Sequence, residues 1–265
     1  MDSRPIGMFD SGMGGISVLK TAWELLPDEN FVYFGDDGNA PYGVRPVEEI
    51  KRLSFECARF LMEKGAKAIV IACNTATSAA INDIRRVLAL PVISMEPAIK
   101  PALEESSGGR ILMMATPATC NQERYHDLLD RLDARRQVTN VPCMGLVERV
   151  EQGDLRPESF SDVLEELLGP FKGERIDGIV LGCTHYPFVR GAIENYARAH
   201  FEGACKLYDG HLGTVRQLAR VLEREGLLSG GPGGRVDFYT SGDQERILPT
   251  FRRLMEVYQT GLGAE

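Results

Sequence analysis

Short apolar runs alternate along the chain with longer stretches in which apolar residues recur every three or four positions. The first pattern is typical of buried strands and the second of amphipathic helices. The clearest helical stretch is 46–64, which begins with a proline and ends at Lys64-Gly65. Its apolar face consists of Ile50, Leu53, Cys57, Phe60 and Leu61. Nine runs are predicted to be strands: 6–9, 31–34, 68–72, 92–95, 111–115, 138–141, 179–181, 206–208 and 236–239.

This alternation of strands and helices predicts an α/β fold with mainly parallel sheets that are flanked by helices. Two of the predicted strands end alike, since 69–75 reads IVIACNT and 179–185 reads IVLGCTH. In parallel α/β folds, functional sites gather where strands end and helices begin. The two stretches are therefore candidates for facing walls of one cleft, with chance recurrence of a short pattern as the alternative.

Composition narrows the choice of partner and compartment. The chain has 265 residues, of which 43% are hydrophobic and 26% charged, with a net charge of −8. An acidic protein of this kind is not expected to bind nucleic acid, which favours a basic face. No apolar run approaches the roughly 20 residues that span a bilayer, and the first ten residues lack the apolar segment of a signal peptide. We therefore expect a cytoplasmic protein without a membrane partner.

The six cysteines are expected to be thiols, and none are spaced C-x-x-C as in a zinc knuckle. Cys57 lies on the apolar face of a predicted helix, and Cys120, Cys143 and Cys205 have no convergent polar neighbours, so a structural position is expected for these four. Cys73 and Cys183 instead follow a strand and precede a predicted helix. Backbone N–H groups at a helix start stabilise a thiolate, and a free thiol has a pKa of about 8.5.

Two glycine-containing stretches follow the first two strands. In FDSGMGG (9–15) the dinucleotide-binding fingerprint fails, because Ser17 stands where a glycine is required. The stretch is interpreted as a tight turn whose N–H groups can hold a carboxylate, with Asp10 and Ser11 at its mouth. Their alternative role is that of local cap residues. In YFGDDGNAPYG (33–43), the turn 41–43 is expected to display a phenol and backbone amides.

Taken together, these stretches resemble the cofactor-independent aspartate/glutamate racemases, and the DSG and PYG elements favour the glutamate branch. The resemblance runs in order over nearly the whole chain. It is carried by FDSGMGG (9–15), YFGD (33–36), APYG (40–43), ACNTAT (72–77), PVISMEP (91–97), ATPAT (115–119), LVERVEQG (146–153) and LGCTHYP (181–187).

The resemblance implies two similar α/β domains, related by a pseudo-twofold axis, with the active site between them. The first would comprise 1–95 and 210–265, and the second would be the inserted segment 96–209. It also implies a homodimer that needs no cofactor and no metal. Family members activated by a cell-wall precursor carry an N-terminal extension, so no such activator is expected.

The implied reaction is the interconversion of L- and D-glutamate, which supplies D-glutamate for peptidoglycan. One cysteine removes the α-proton and the other protonates the opposite face, with Cys73 acting on the D-isomer and Cys183 on the L-isomer. Asp10, His185 and Glu151 are the implied assisting groups, and Glu148 is the alternative to Glu151. The implied substrate-binding residues are Asp10, Ser11, Pro41, Tyr42, Gly43, Asn74, Thr75, Thr184 and His185.

Three segments depart from the family pattern, namely 37–39, 143–146 and 209–211, which read DGN, CMGL and DGH. None of them removes a proton-transfer group, although the first bears on substrate affinity. A racemase of aspartate and a non-catalytic binding protein remain as alternatives. A cysteine–histidine hydrolase built on Cys183 and His185 is less attractive because it leaves Cys73 unexplained.

Overall fold

The computed structural model describes residues 1–153, 155–231 and 233–260. Its contacts divide the chain into two compact units. The first unit consists of Met1–Glu96 together with the described residues from His211 onward, and the second unit is Pro97–Gly210. The second unit is thus an insertion between two parts of the first.

Each of the nine runs predicted to be strands forms a strand, which confirms the alternating pattern. In chain order they are β1 (Ile6–Asp10), β2 (Phe31–Gly35), β3 (Ala68–Ile71), β4 (Val92–Ser94), β5 (Arg110–Ala115), β6 (Val138–Pro142), β7 (Ile176–Leu181), β8 (Lys206–Tyr208) and β9 (Val236–Thr240). The largest difference is at β7, which begins three residues earlier than predicted because Asp177 lies within it. A polar residue is tolerated there since its carboxylate accepts hydrogen bonds from the loop before β5.

Eleven α-helices occur in the described part of the chain. They are α1 (Ile16–Leu25), α2 (Val47–Glu63), α3 (Asn74–Val87), α4 (Ile99–Glu105), α5 (Pro117–Cys120), α6 (Glu123–Arg131), α7 (Leu146–Glu151), α8 (Ser161–Leu168), α9 (Arg190–His200), α10 (His211–Arg224) and α11 (Gln244–Val257). The helix predicted over 46–64 is α2, whose apolar face is buried at every position except the half-buried Phe60. None of these described helices is long and apolar enough to cross a membrane.

Each unit contains one parallel sheet. The strand order is β4-β3-β1-β2-β9 in the first unit and β6-β5-β7-β8 in the second. All strand pairs are parallel. The carboxyl ends of the strands in a sheet therefore lie along one edge, and the residues that follow them are brought close together. In the first unit β9 pairs with β2, so the returning segment of the chain completes this sheet.

Polar contacts stabilise the opposite end of each sheet. In the first unit the Lys67 ammonium lies 2.6 Å from a carboxylate oxygen of Glu29, and both side chains are almost fully buried. In the second unit the Asp177 carboxylate accepts hydrogen bonds from the 106–109 loop, including the backbone N–H of Gly109 at 2.8 Å. Burial alone would raise the pKa of Asp177, but these bonds outweigh it and lower the pKa. Both contacts lie away from the strand ends that carry the candidate chemistry.

Candidate active site

The first polar cluster lies at the carboxyl ends of β1 and β3, which are adjacent strands. Asp10 ends β1 and is fully buried. Its Oδ1 accepts hydrogen bonds from the backbone N–H of Gly12 at 3.0 Å and from the Ser11 hydroxyl at 3.4 Å. The glycine-rich turn needs a glycine at 15, because a Cβ there would lie 2.6 Å from the Cβ of Asp10. The turn is therefore wrapped closely around the Asp10 carboxylate.

Cys73 follows β3 and is the N-terminal cap of α3. Its Sγ accepts a hydrogen bond from the backbone N–H of Ala76 at 3.4 Å. Its thiol lies 3.6 Å from the Ser11 hydroxyl, to which it can donate. Cys73, Ser11 and Asp10 thus form a chain of thiol, hydroxyl and carboxylate. The start of a 14-residue helix adds an electrostatic field that favours the thiolate.

Asn74 and Thr75 lie in the first turn of α3, and both are buried beside Cys73. The carboxamide oxygen of Asn74 is buried and has no hydrogen-bond partner among the described residues. A buried carbonyl oxygen without a donor is costly in free energy. It is therefore a candidate acceptor for a donor group of a ligand, such as an ammonium.

The turn 41–43 differs from the expectation in one respect. The Tyr42 phenol is not displayed: the side chain is buried, and its hydroxyl donates to the Asp36 carboxylate at 2.5 Å. Burial, with Cys57 and Asp36 nearby, raises the pKa of Tyr42 well above its usual value. The phenol is therefore held as a neutral donor. Gly43 is buried and Pro41 half-buried, and the Tyr42 carbonyl accepts from the backbone N–H of Arg45 at 3.0 Å.

The second polar cluster lies after β7, where Cys183, Thr184 and His185 are all buried. The Cys183 Sγ lies 3.6 Å from Nδ1 of His185, and the other ring nitrogen lies 3.0 Å from Oε1 of Glu151. Burial alone would lower the pKa of His185. The hydrogen bonds to Cys183 and Glu151 outweigh this effect and raise the pKa well above its usual value. The imidazole is therefore stabilised in its charged form.

Glu151, rather than Glu148, contacts His185. Both lie on α7, where Glu148 is exposed and the Glu151 side chain is 25% exposed. The geometry favours Glu151 as the partner of the imidazole and gives Glu148 no contact with it among the described hydrogen bonds and ion pairs. The assisting role in catalysis remains a prediction.

Two further polar residues lie at the same sheet edge but were not among the predicted site residues. Thr116 follows β5, which is adjacent to β7, and caps α5 by accepting the N–H of Thr119 at 3.3 Å. The two hydroxyls lie 3.0 Å apart, and both side chains are buried. The ATPAT stretch contains the signal that would have identified them: a strand end followed by a threonine and a helix-starting proline.

The remaining cysteines have no comparable setting, although Cys57 lies 3.7 Å from the Tyr42 hydroxyl. All six cysteines are thiols rather than members of disulfides. Burial raises the pKa of Cys120 to about 11 and that of Cys205 to about 12, so both remain protonated near neutral pH. Over the described ranges, no group of three or more histidine, cysteine, aspartate or glutamate side chains is placed to hold a metal ion.

The structure therefore brings nine of the twelve predicted site residues together as two clusters, one in each unit, while Pro41, Tyr42 and Gly43 belong to neither cluster. Asp10, Ser11, Cys73, Asn74 and Thr75 form the cluster of the first unit, and Cys183, Thr184, His185 and Glu151 form that of the second. In both clusters a buried thiol contacts a polar group, and that group contacts a carboxylate. This arrangement suits proton transfer to and from a carbon acid, because each thiol has a neighbour that can steady its charge or pass on its proton.

Comparison with known proteins identifies the family of this chain. The sequence pattern of the Asp/Glu/Hydantoin racemase family matches residues 17–218. A glutamate racemase of Clostridium perfringens is 45% identical over 259 residues, which is 97% of this chain and 98% of that protein.

Solved structures show the same similarity. The glutamate racemase of Francisella tularensis in complex with D-glutamate has a TM-score of 0.83 at 29% identity and covers 98% of this chain and 96% of its own. The Thermus thermophilus enzyme in complex with β-chloro-D-alanine has a TM-score of 0.77 at 36% identity, with coverages of 96% and 94%. The chain belongs to the Asp/Glu/hydantoin racemase family.

Proposed function

We propose that the protein is a glutamate racemase that uses Cys73 and Cys183 as its two acid–base groups. The observation that carries the proposal is the pair of buried thiols, each at a strand end and each followed by a polar group and a carboxylate. Inversion of a stereocentre by proton transfer needs one group on each face of the carbon. The proposal assigns these two roles to the thiols of the two clusters.

The chemistry requires one cysteine as a thiolate and the other as a thiol. The thiolate removes the α-proton of bound glutamate, and the thiol donates its proton to the opposite face. In the D-to-L direction Cys73 is the base and Cys183 the acid, and the roles exchange in reverse. The α-proton is a very weak acid, so hydrogen bonds to the developing charge must lower the barrier in a site from which water is excluded.

The polar residues around the thiols suit the charged groups of glutamate. The Asn74 carboxamide oxygen can accept from the substrate ammonium, which would satisfy its missing hydrogen bond. The hydroxyls of Thr75 and Thr184 can donate to the two carboxylates, with backbone N–H groups of the glycine-rich turn and of turn 41–43. The Ser11 hydroxyl can also donate if it turns from Asp10 to the substrate. Asp10 and His185 complete this set beside the two thiols.

The relatives support the choice of substrate. The Clostridium perfringens protein is named a glutamate racemase, and the Francisella tularensis structure contains D-glutamate. The proposal also places the enzyme in the cytoplasm as a homodimer without a cofactor. Its product would be D-glutamate for peptidoglycan.

The experiment that tests the proposal uses purified protein with D-glutamate in D₂O and no added cofactor. Optical rotation and the α-proton NMR signal are followed together. Loss of rotation with deuterium at the α-carbon is the expected result, because each inversion exchanges that proton with the solvent. Turnover of aspartate but not glutamate would indicate the sibling racemase. No exchange with any acidic amino acid would favour a binding protein.

A further inference from the structure

We propose that Asp36 is a positioning residue that sets the affinity for glutamate by holding turn 41–43 through the Tyr42 phenol. The inference rests on the proposed function and concerns a residue that follows β2 rather than one of the two thiol clusters. Asp36 belongs to the YFGD stretch but is not among the predicted site residues. Its carboxylate is buried, with an exposure of only 4%.

Asp36 connects two parts of the candidate site. Its backbone N–H donates to the carbonyl oxygen of Asp10 at 3.0 Å, which ties it to the end of β1. Its carboxylate accepts from the Tyr42 hydroxyl at 2.5 Å. The side chain that bridges to the turn is thus anchored on the strand that carries the Asp10 carboxylate. Any displacement of Asp36 would be passed directly to turn 41–43.

The orientation of Tyr42 determines how this turn can act. Because the phenol is buried on Asp36, the hydroxyl is already used and is not available to a ligand. On the proposed function, the turn binds through the backbone N–H groups of Tyr42 and Gly43, whose position depends on where the phenol is held. A hydrogen bond to a carboxylate is among the stronger ones in proteins, and it fixes both distance and direction.

The segment 37–39, where the chain departs from the family pattern, belongs to the same network. The Asn39 carboxamide donates to Asp36 Oδ1 at 2.9 Å, and the Arg45 guanidinium donates to the Asn39 carbonyl at 2.8 Å. The Asp37 carboxylate accepts from the Thr240 hydroxyl at 2.9 Å, which ties the segment to the end of β9. The departure therefore supplies Asp36 with a second donor, and we expect it to support substrate affinity rather than weaken it.

The energetics also indicate a functional role for Asp36. Both side-chain donors to its carboxylate, Tyr42 and Asn39, are neutral. Within the described ranges, no ion pair includes this carboxylate. A buried carboxylate without a cationic partner is costly for stability. Residues that reduce stability in this way are typical of functional sites, where positioning offsets the cost.

The test compares Tyr42→Phe, Asp36→Ala and Asp36→Asn with the natural protein. Affinity for D- and L-glutamate is measured by calorimetry, and KM and kcat are measured for racemisation. Tyr42→Phe and Asp36→Ala should each raise Kd and KM about tenfold, the size of effect expected for losing one hydrogen bond to a charged group, with kcat changed by less than about threefold. Asp36→Asn should recover most of the affinity, because its amide oxygen still accepts from the phenol.

Tyr196→Phe provides the matched control. The Tyr196 side chain is also buried, and its hydroxyl donates to a carboxylate, that of the exposed Glu165 at 3.0 Å, but it lies on α9 and away from the strand-end clusters. It should leave Kd, KM and kcat unchanged. The double variant Tyr42→Phe/Asp36→Ala should bind glutamate as tightly as Asp36→Ala alone, because Asp36→Ala already removes the hydrogen bond that Tyr42→Phe removes.

Several results would overturn the inference. An unchanged Kd for glutamate in folded Tyr42→Phe would do so, as would a variant in which kcat falls while Kd and KM stay the same. If Asp36→Ala does not fold, the Tyr42→Phe series still decides. Natural protein that binds glutamate without racemising it would refute the proposed function, while the Kd series would still test Asp36. Natural protein that does not bind glutamate would refute both.

Discussion

The two cysteine clusters are alike in layout but differ in the group beside the thiol. The Cys73 thiol contacts the Ser11 hydroxyl, which in turn contacts the Asp10 carboxylate. The Cys183 thiol instead contacts the His185 imidazole, which in turn contacts the Glu151 carboxylate. A serine hydroxyl stays neutral at physiological pH, but an imidazole can carry a full charge. Similar sequences, IVIACNT and IVLGCTH, therefore produce different electrostatic surroundings.

This difference indicates two ways of stabilising a thiolate. At Cys73 the start of α3 and neutral donors provide the stabilisation, with the Ala76 N–H aimed at the sulfur. At Cys183 the charged form of His185 can act as a counter-ion, since its pKa is raised well above the usual value. L- and D-glutamate are mirror images of equal free energy in solution. If both thiols transfer protons as proposed, balanced transfer does not require symmetrical surroundings.

Removing either thiol gives the largest expected effect and tests whether both clusters are needed. Cys73→Ser and Cys183→Ser should each lower racemisation by at least about a thousandfold, because serine is a far weaker acid and base at this position. Cys73→Ser should still exchange the α-proton of L-glutamate in D₂O, and Cys183→Ser that of D-glutamate, each without inversion. Proton NMR and optical rotation distinguish the two events.

Cys205→Ser is the control for these variants, because Cys205 belongs to neither cluster. Burial also raises the pKa of its thiol to about 12. The control variant should racemise glutamate at the natural rate. Turnover near that of the natural protein in Cys73→Ser or Cys183→Ser would contradict the two-base proposal.

The second prediction separates the two glutamates on α7. Glu151→Gln should lower kcat about tenfold, because it replaces a charged acceptor of His185 with a neutral one. It should slow α-proton exchange from L-glutamate more than exchange from D-glutamate, since Cys183 is the proposed base for the L-isomer. Asp10→Asn should show the reverse preference, which would sharpen the contrast between the two clusters.

Glu148→Gln is the matched control, because Glu148 is exposed on the same helix. It should leave both exchange rates within about twofold of the natural values, as expected of a surface substitution. Equal losses in Glu148→Gln and Glu151→Gln would show that the His185–Glu151 contact is not what matters.

Much of the fold could be predicted because strands of a parallel sheet covered by helices are buried on both faces and form continuous apolar runs. The run 68–71, with every residue buried, is an example. The start of β7 could not be predicted in this way, since Asp177 interrupts the apolar pattern. Its acceptability depends on donors from the 106–109 loop, about 70 residues earlier in the chain.

The site was less predictable than the fold, because side-chain direction depends on tertiary contacts. The sequence DD at 36–37 does not indicate that Asp36 is buried on Tyr42 while Asp37 reaches Thr240. Similarly, the spacing of Glu148 and Glu151 leaves both as partners of His185 until the position of α7 is known. Cys73 and Cys183 were predictable because a cysteine at the end of a buried strand has a defined location in any parallel sheet.

The smallest expected effect is on the free energy of unfolding. It tests whether His185 is charged, which is the difference that separates the Cys183 cluster from the Cys73 cluster. A raised pKa in the folded state means that protonated His185 stabilises the protein fully below the unfolded pKa of about 6.5. This stabilisation is lost as the pH rises through the raised folded pKa. The natural protein should therefore exceed Glu151→Gln in free energy of unfolding by about 1–2 kcal/mol at pH 6, and the difference should shrink toward pH 10.

Urea unfolding at a series of pH values measures this difference, with Glu148→Gln as the reference for loss of a surface charge on the same helix. Titration of other groups cancels in the comparison, because the variants differ at one position. A difference that stays constant from pH 6 to pH 10 would mean that His185 does not change its charge in this range, or that its charge does not depend on Glu151. NMR titration of the His185 ring would separate these two cases, since only in the second would the imidazole signal shift at the same pH in both proteins. That second result would mean that Cys183 alone raises the pKa of His185. The difference between the two clusters would then depend on the contact between the Cys183 thiol and the imidazole.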